Sequence, residues 1–386
     1  MQVFISTGEV SGDLQGALLV SALHHQAAAQ GIDLEVVALG GDRMAAAGAR
    51  LLANTTSIGA MGLIESLPFV WPTWRAQTRA KQHLRANPPD VMVLLDYIGP
   101  NLVLGRYARR QYSDLPIAYY IAPQMWVWSP WPGQTRRLVE MTDRIIAIFP
   151  GEASYFKTYD VEVEWVGHPL LDRVQMAPSR AEARARFGLA PETTAIALFP
   201  ASRHQELRHL LPPIFAAARR LQAELPDVQF LVSLSLSRYR ETVATAIAEH
   251  GLRATLVDDD ALAVIAASDL AIAKSGTVNL EIALLNVPQV VLYRLNPLTM
   301  WIARRIYDFK APHISPPNLV LERGLVPELL QEAATPDRIV AEARRLLLEA
   351  EPRQTMLTGY TEMRRRLGEP GVAERTARTI LTMAGR

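Results

Sequence analysis

Ser275, Gly276 and Thr277 stand together after a short apolar run at 270–273, and Glu281 follows four residues past Thr277. Such a turn at the start of a helix offers backbone N–H groups and the helix dipole to an anion such as a diphosphate. Gly276 lets backbone approach a ligand closely. A carboxylate one helical turn further, on the same face, can accept hydrogen bonds from both hydroxyls of a ribose. The same residues also suit a plain capped helix with a surface glutamate. Arg203 closes a second pattern, Pro200-Ala201-Ser202-Arg203, with Glu206 three residues on. An arginine at a strand end can neutralise a diphosphate leaving group, whereas a surface ion pair with Glu206 is the bland alternative. Near the N-terminus, Gly8-Glu9-Val10-Ser11-Gly12-Asp13 puts two acids in one glycine turn. It is not GxGxxG, and Glu9 and Asp13 would repel a pyrophosphate, so an acid cluster facing sugar hydroxyls suits it better than a dinucleotide site, and a helix start capped by Ser11 or Asp13 is the bland alternative. His168 sits in a Gly-His-Pro turn with no second ligand at metal spacing, so no metal is expected.

The elements around these residues alternate between strand and helix. Residues 2–7 read as a first strand, 8–13 as a turn and 14–29 as a helix. Further strands fall at 36–39, 91–95, 117–121, 144–149 and 163–166, with a short helix at 43–50. Residues 172–178 read as a linker. The pattern then restarts, with strands at 195–199, 229–233, 255–257, 270–273 and 289–292 and helices at 206–224, 336–350 and 353–384. Two successive doubly wound halves predict an α/β chain of two Rossmann-like domains facing a cleft, residues 1–175 and 176–386, with the last helix able to pack back on the first domain.

The bounds agree. The chain has 386 residues, 49% of them hydrophobic and 20% charged, enough for two cored domains. A net charge of +1 argues against nucleic acid as a partner. The absence of cysteine excludes disulfides, thiol catalysis and cysteine-bound zinc, and fits a cytoplasmic protein. The N-terminus reads as a strand and not as a signal peptide, and no apolar run approaches a membrane span. One stretch, 58–74, carries a single charge, Glu65, together with Met61, Leu63, Phe69, Trp71 and Trp74, and is followed by Arg75, Arg79, Lys81 and Arg85. It suits a lipid or membrane-interface patch, or else a buried helix and loop. The aromatic run at 119–128 suits either sugar stacking or core.

Together the pieces resemble the lipid-A-disaccharide synthase family, inverting glycosyltransferases of GT-B fold. The resemblance rests on residues 8–13, Gly40-Gly41-Asp42-Arg43-Met44, Met61-Gly62-Leu63, residues 120–128 and Trp165-Val166-Gly167-His168-Pro169-Leu170. It continues through residues 200–206, Ser275-Gly276-Thr277 with Glu281, Pro317-Asn318 and Pro327-Glu328-Leu329-Leu330-Gln331, nearly the whole chain in the family's order. It implies transfer from a UDP-diacylglucosamine to a diacylglucosamine phosphate with release of UDP. No cofactor or metal is implied. The expected partners are a UDP-sugar donor, a glycolipid acceptor, the inner face of the cytoplasmic membrane and, as an assembly, a homodimer. The donor would meet Ser202, Glu206, Ser275, Gly276, Thr277, Glu281 and Asn318, and Arg203 would stabilise the leaving diphosphate. The chain departs from the family at Asp96-Tyr97-Ile98-Gly99-Pro100-Asn101, where the family pattern resembles Asp-Ala-Pro-Asp-Phe-Asn. Gly99 replaces the second acid, the family's candidate base, which leaves Asp96 and Glu9 as base candidates. Ala201 replaces a glycine of the phosphate-side loop, and residues 129–133 replace a basic segment. A related enzyme with another lipid or sugar acceptor, or a catalytically silent relative, is the alternative expectation.

Overall fold

A computed structural model describes residues 1–56, 69–128, 132–200, 204–234, 236–294, 301, 305 and 312–385. The chain forms two compact units: Met1–Asp172 with Leu367–Arg386, and Arg173–Arg366. Each unit is built on one parallel sheet, as the expected Rossmann-like class requires.

The first sheet contains β1 (Gln2–Ser6), β2 (Glu35–Gly40), β3 (Arg50–Asn54), β4 (Val91–Leu95), β5 (Ile117–Tyr120), β6 (Arg144–Ala147) and β7 (Glu162–Trp165). Their order is β3-β2-β1-β4-β5-β6-β7, so the direction of winding reverses between β1 and β4. The central strands are largely apolar, because helices cover both faces of a parallel sheet; all five residues of β4 are buried. The second sheet contains β8 (Ala195–Phe199), β9 (Gln229–Leu234), β10 (Ala254–Asp258), β11 (Leu270–Lys274), β12 (Gln289–Tyr293) and β13 (Glu328–Leu330). Its order, β10-β9-β8-β11-β12-β13, reverses between β8 and β11. In such sheets ligands bind beyond the strand carboxyl ends at the reversal.

Several local expectations are corrected. Residues 9–13 are helical, since the first helix is Glu9–Ala29. Gly12 permits that early start, because a Cβ there would lie 2.1 Å from Thr7 Oγ1. The stretch read as helix 43–50 is a five-residue helix, Asp42–Ala46, followed by edge strand β3. The segment 172–178 is not an open linker: Leu170–Arg173 is helical and Val174–Met176 continues as a 3-10 turn. The long helix expected over 353–384 is two helices, Ala350–Leu367 and Val372–Ala384. Gly368 and Gly371 separate them with φ of +96° and +86°, values that favour glycine. Helix Val372–Ala384 packs on Glu9–Ala29. The Asp172 carboxylate accepts from the N–H groups of Gly371 and Ala373 at its start.

Candidate functional site

In the first unit, Glu9 and Asp96 follow β1 and β4, the two strands at the reversal. Glu9, Asp96 and Tyr97 have φ of +64°, +48° and +43°, a region in which a non-glycine residue is held only by its surroundings. The holding groups are identifiable. Asn101 is fully buried and donates from Nδ2 to the carbonyls of Leu95 (3.1 Å) and Asp96 (2.9 Å), while its Oδ1 accepts from Ser6 Oγ (2.7 Å). The Tyr119 hydroxyl also donates to the Asp96 carbonyl, at 2.6 Å. Burial pushes this phenol's pKa well up, so it remains a donor. Gly8 lies under the Tyr97 ring, where a Cβ would come within 2.7 Å. The backbone that carries Asp96 is therefore fixed from several sides.

Asp13 does not join an acid cluster facing sugar. It is buried, and its carboxylate accepts from the N–H groups of Gly41 (2.8 Å), Arg43 (3.2 Å) and Met44 (3.1 Å). It thus caps helix Asp42–Ala46, a structural task. The aromatic run divides: Tyr119 and Tyr120 are core, and Trp126 lies 5.7 Å from the Phe149 ring. His168 is buried, packs at 4.9 Å against the Phe149 ring with the two planes tilted by 56°, and accepts at Nδ1 from the Leu170 N–H. Burial lowers its pKa to about 3, so the imidazole is neutral. Glu152, also buried, accepts from the N–H groups of Ala122, Ile148 and Phe149. Burial outweighs those bonds and raises its pKa to about 7.

The helix Val70–Ala86 begins after Phe69, which is half-buried. Val70, Trp71 and Trp74 are each more than half exposed. The two indoles stack at 4.9 Å, with Arg75 over Trp71 at 5.5 Å. Lys81 and Arg85 lie over the Tyr107 ring, at 5.4 and 5.6 Å from its centroid. Met61 and Leu63 lie outside the described residues.

In the second unit, Ser275, Gly276 and Thr277 form the turn from β11 into helix Val278–Leu284. Ser275 Oγ donates to the Ile314 carbonyl (3.1 Å), and the Gly276 N–H is capped by Asn279 Oδ1 (2.7 Å). Asn279 continues inward to Gln289, so the turn is anchored in the core. Glu281 is not a surface glutamate: only 4% of it is exposed, and it pairs with Arg173, whose Nε is 2.5 Å from Oε1. Asn318, on the adjoining helix Pro316–Leu321, is buried. Its Oδ1 accepts from Leu325 and Val326 N–H, and its Nδ2 donates to the Val326 carbonyl and to Glu328. Glu328 also accepts from Ile314 and Ser315. Asn318 therefore shapes the loop beside the Ser275 turn, with its amide positions already engaged. Ser202 and Arg203, which follow β8 in sequence, lie outside the described residues, as does the side chain of Glu206 in helix His204–Glu224. Sequence reasoning missed Arg173, Glu328 as an anchor, and the Asn101–Tyr119 clamp. Their partners are remote in sequence, where spacing carries no signal.

Among the described residues, no group of three or more His, Asp or Glu side chains is arranged to hold a metal. Nor is any helix among them long and apolar enough to cross a membrane.

The arrangement has counterparts in known proteins. The family model described as Lipid-A-disaccharide synthetase matches residues 3–381. A protein of Gloeothece citriformis called lipid-A-disaccharide synthase is 56% identical over 381 residues, covering 99% of both chains. Its namesake in Synechocystis sp. is 55% identical over 386 residues, covering 100% of this chain and 98% of the relative. Among solved structures, S. aureus MnaA with UDP superposes with a TM-score of 0.70 at 16% identity, covering 100% of this chain and 98% of that one. That likeness concerns the fold, which is the two-sheet GT-B architecture. With a match that runs almost from end to end, the chain belongs to the lipid-A-disaccharide synthetase family.

Proposed function

We propose that this protein joins two acylated glucosamines: it transfers diacylglucosamine from a UDP-linked donor to a diacylglucosamine phosphate, with inversion, and releases UDP. The observation that carries this reading is the family match over residues 3–381. The positions of Glu9, Asp96 and the Ser275–Thr277 turn support it, because they follow strands at which winding reverses.

The roles follow from chemistry. The turn Ser275–Gly276–Thr277 receives the diphosphate, and Glu281 accepts from the ribose hydroxyls. Ser202 and Glu206 complete the donor side, Asn318 holds the loop beside the turn, and Arg203 offsets charge on the departing diphosphate. Asp96 or Glu9 removes the proton from the acceptor hydroxyl as it attacks the anomeric carbon, and the bond to UDP breaks in line. The acceptor's acyl chains and the inner face of the cytoplasmic membrane meet the stretch with Met61, Leu63, Phe69, Trp71 and Trp74. The protein works there as a peripheral protein, with a homodimer as the proposed assembly.

The test is direct. Purified protein with UDP-diacylglucosamine and diacylglucosamine phosphate in detergent should yield stoichiometric UDP and a tetraacyl disaccharide phosphate by mass spectrometry. UDP release only with a different lipid or sugar acceptor would replace this acceptor, and no turnover with any would remove the enzymatic reading.

A further inference from the structure

Arg173 lies in the segment that the sequence presents as a linker, yet its guanidinium is largely buried and paired with Glu281. The two residues are 108 positions apart. We propose that Arg173 is a positioning residue for nucleotide recognition: it aims the Glu281 carboxylate so that the carboxylate accepts from the ribose hydroxyls of a uridine diphosphate. The inference rests on the reading of Glu281 as the ribose acceptor.

Three observations carry it. Glu281 sits in helix Val278–Leu284, which begins directly after the Ser275–Thr277 turn, so its carboxylate is held about one turn from the diphosphate position. It is buried, and a buried carboxylate requires a partner that fixes its orientation. The contact uses the guanidinium Nε, part of a rigid planar fork that sets the carboxylate plane more firmly than a flexible ammonium could. The Arg173 contact falls on Oε1, and a carboxylate oxygen can accept more than one hydrogen bond, so the pair is compatible with hydroxyls arriving at the same carboxylate. Arg173 thus stays in place when nucleotide binds, instead of acting as a latch that must open.

Calorimetry with UDP and 2′-deoxy-UDP separates the possibilities, because only the ribose form offers both hydroxyls. The wild type should prefer UDP by about tenfold or more, the scale of one hydrogen bond to a charged acceptor. Arg173→Ala should collapse that preference while binding 2′-deoxy-UDP as the wild type does, and Arg173→Lys should restore part of it. Equal weakening of both ligands in Arg173→Ala would overturn the proposal in favour of a purely structural pair. Tighter UDP binding would overturn it in favour of a latch. Should Arg173→Ala fail to fold, the preference of Arg173→Lys decides: a full wild-type ratio overturns the proposal and a reduced one upholds it. Glu281→Gln tests the underlying reading separately. If that variant keeps the preference for UDP, the ribose is recognised elsewhere and both ideas fall. If it loses the preference while Arg173→Ala keeps it, only the role of Arg173 falls.

Discussion

Asp96 and Glu9 leave adjacent strands at the point where the first sheet reverses, and both hold left-handed backbone angles. Asn101 and Tyr119 grip the Asp96 carbonyl, which leaves the orientation of its peptide little freedom. A proton acceptor held this way loses little entropy when the acceptor hydroxyl arrives. Single-turnover kinetics should therefore show one dominant base. Either Asp96→Asn or Glu9→Gln should lower the chemical step by ~10²-fold or more with UDP-sugar affinity kept, and full rates in both would eliminate both acids. Among the described residues nothing lies within 4 Å of the Cβ position of Gly99, so Gly99→Asp meets no clash with them. A rise in turnover on the diacylglucosamine pair would show that the native protein has drifted toward another acceptor. At this scale the sequence revealed residue types but not partners. Glu281 was legible as an acid one turn past a serine–glycine–threonine turn. Its ion pair was not, because no periodicity links Arg173 to it.

Elements were more legible where apolar runs were long. The central strands could be read directly, since parallel strands are apolar on both faces. Strands β3 and β13 could not. The first is an edge strand with Arg50 and Asn54 exposed, and the second has only three residues. The start of helix Glu9–Ala29 was misread because glycine usually signals a turn, whereas Gly12 is there for close packing against Thr7. Gly12→Ala should destabilise the first unit by about 1–3 kcal/mol, the usual cost of overpacking, and an unchanged denaturation midpoint would contradict that. Helix Val70–Ala86 bears the exposed Trp71–Trp74 stack with Arg75 beside it. Indole rings beside a cation suit the headgroup layer of an anionic bilayer. The protein should sediment with anionic liposomes at low salt and less at high salt, because screening weakens the basic contribution. Trp71→Ser with Trp74→Ser should abolish that sedimentation, and retention of binding would place the membrane contact elsewhere.

Across the whole molecule the chain leaves the first unit after Asp172 and returns at Leu367, and His168 lies beside the exit. Its backbone N–H donates to the Leu367 carbonyl at 2.9 Å, tying the outgoing turn to the end of the returning helix Ala350–Leu367. Two buried groups near this corner oppose each other in pH. His168 has its pKa lowered from 6.5 to about 3 by burial, so the unfolded chain takes up a proton below pH 6.5 that the folded chain refuses. Its contribution is present above pH 6.5 and lost as pH falls toward 3. Glu152 has its pKa raised from 4.5 to about 7, so the folded chain keeps a proton that the unfolded chain releases. Its contribution is present below pH 4.5 and lost as pH rises through 7. Between pH 4.5 and 6.5 folded and unfolded chains then bind equal numbers of protons at these two sites, and the two slopes cancel. Single substitutions should expose them. In His168→Gln the remaining Glu152 slope should make stability fall as pH rises through this window, by about 1.4 kcal/mol per pH unit. In Glu152→Gln the remaining His168 slope should make it rise by a similar amount. Either variant is free to be less stable at every pH, because the sign of the slope is the readout. Denaturant titrations of the three proteins at pH 5 and pH 6.5 measure it, and slopes of the same sign in the two variants would refute the opposed pair.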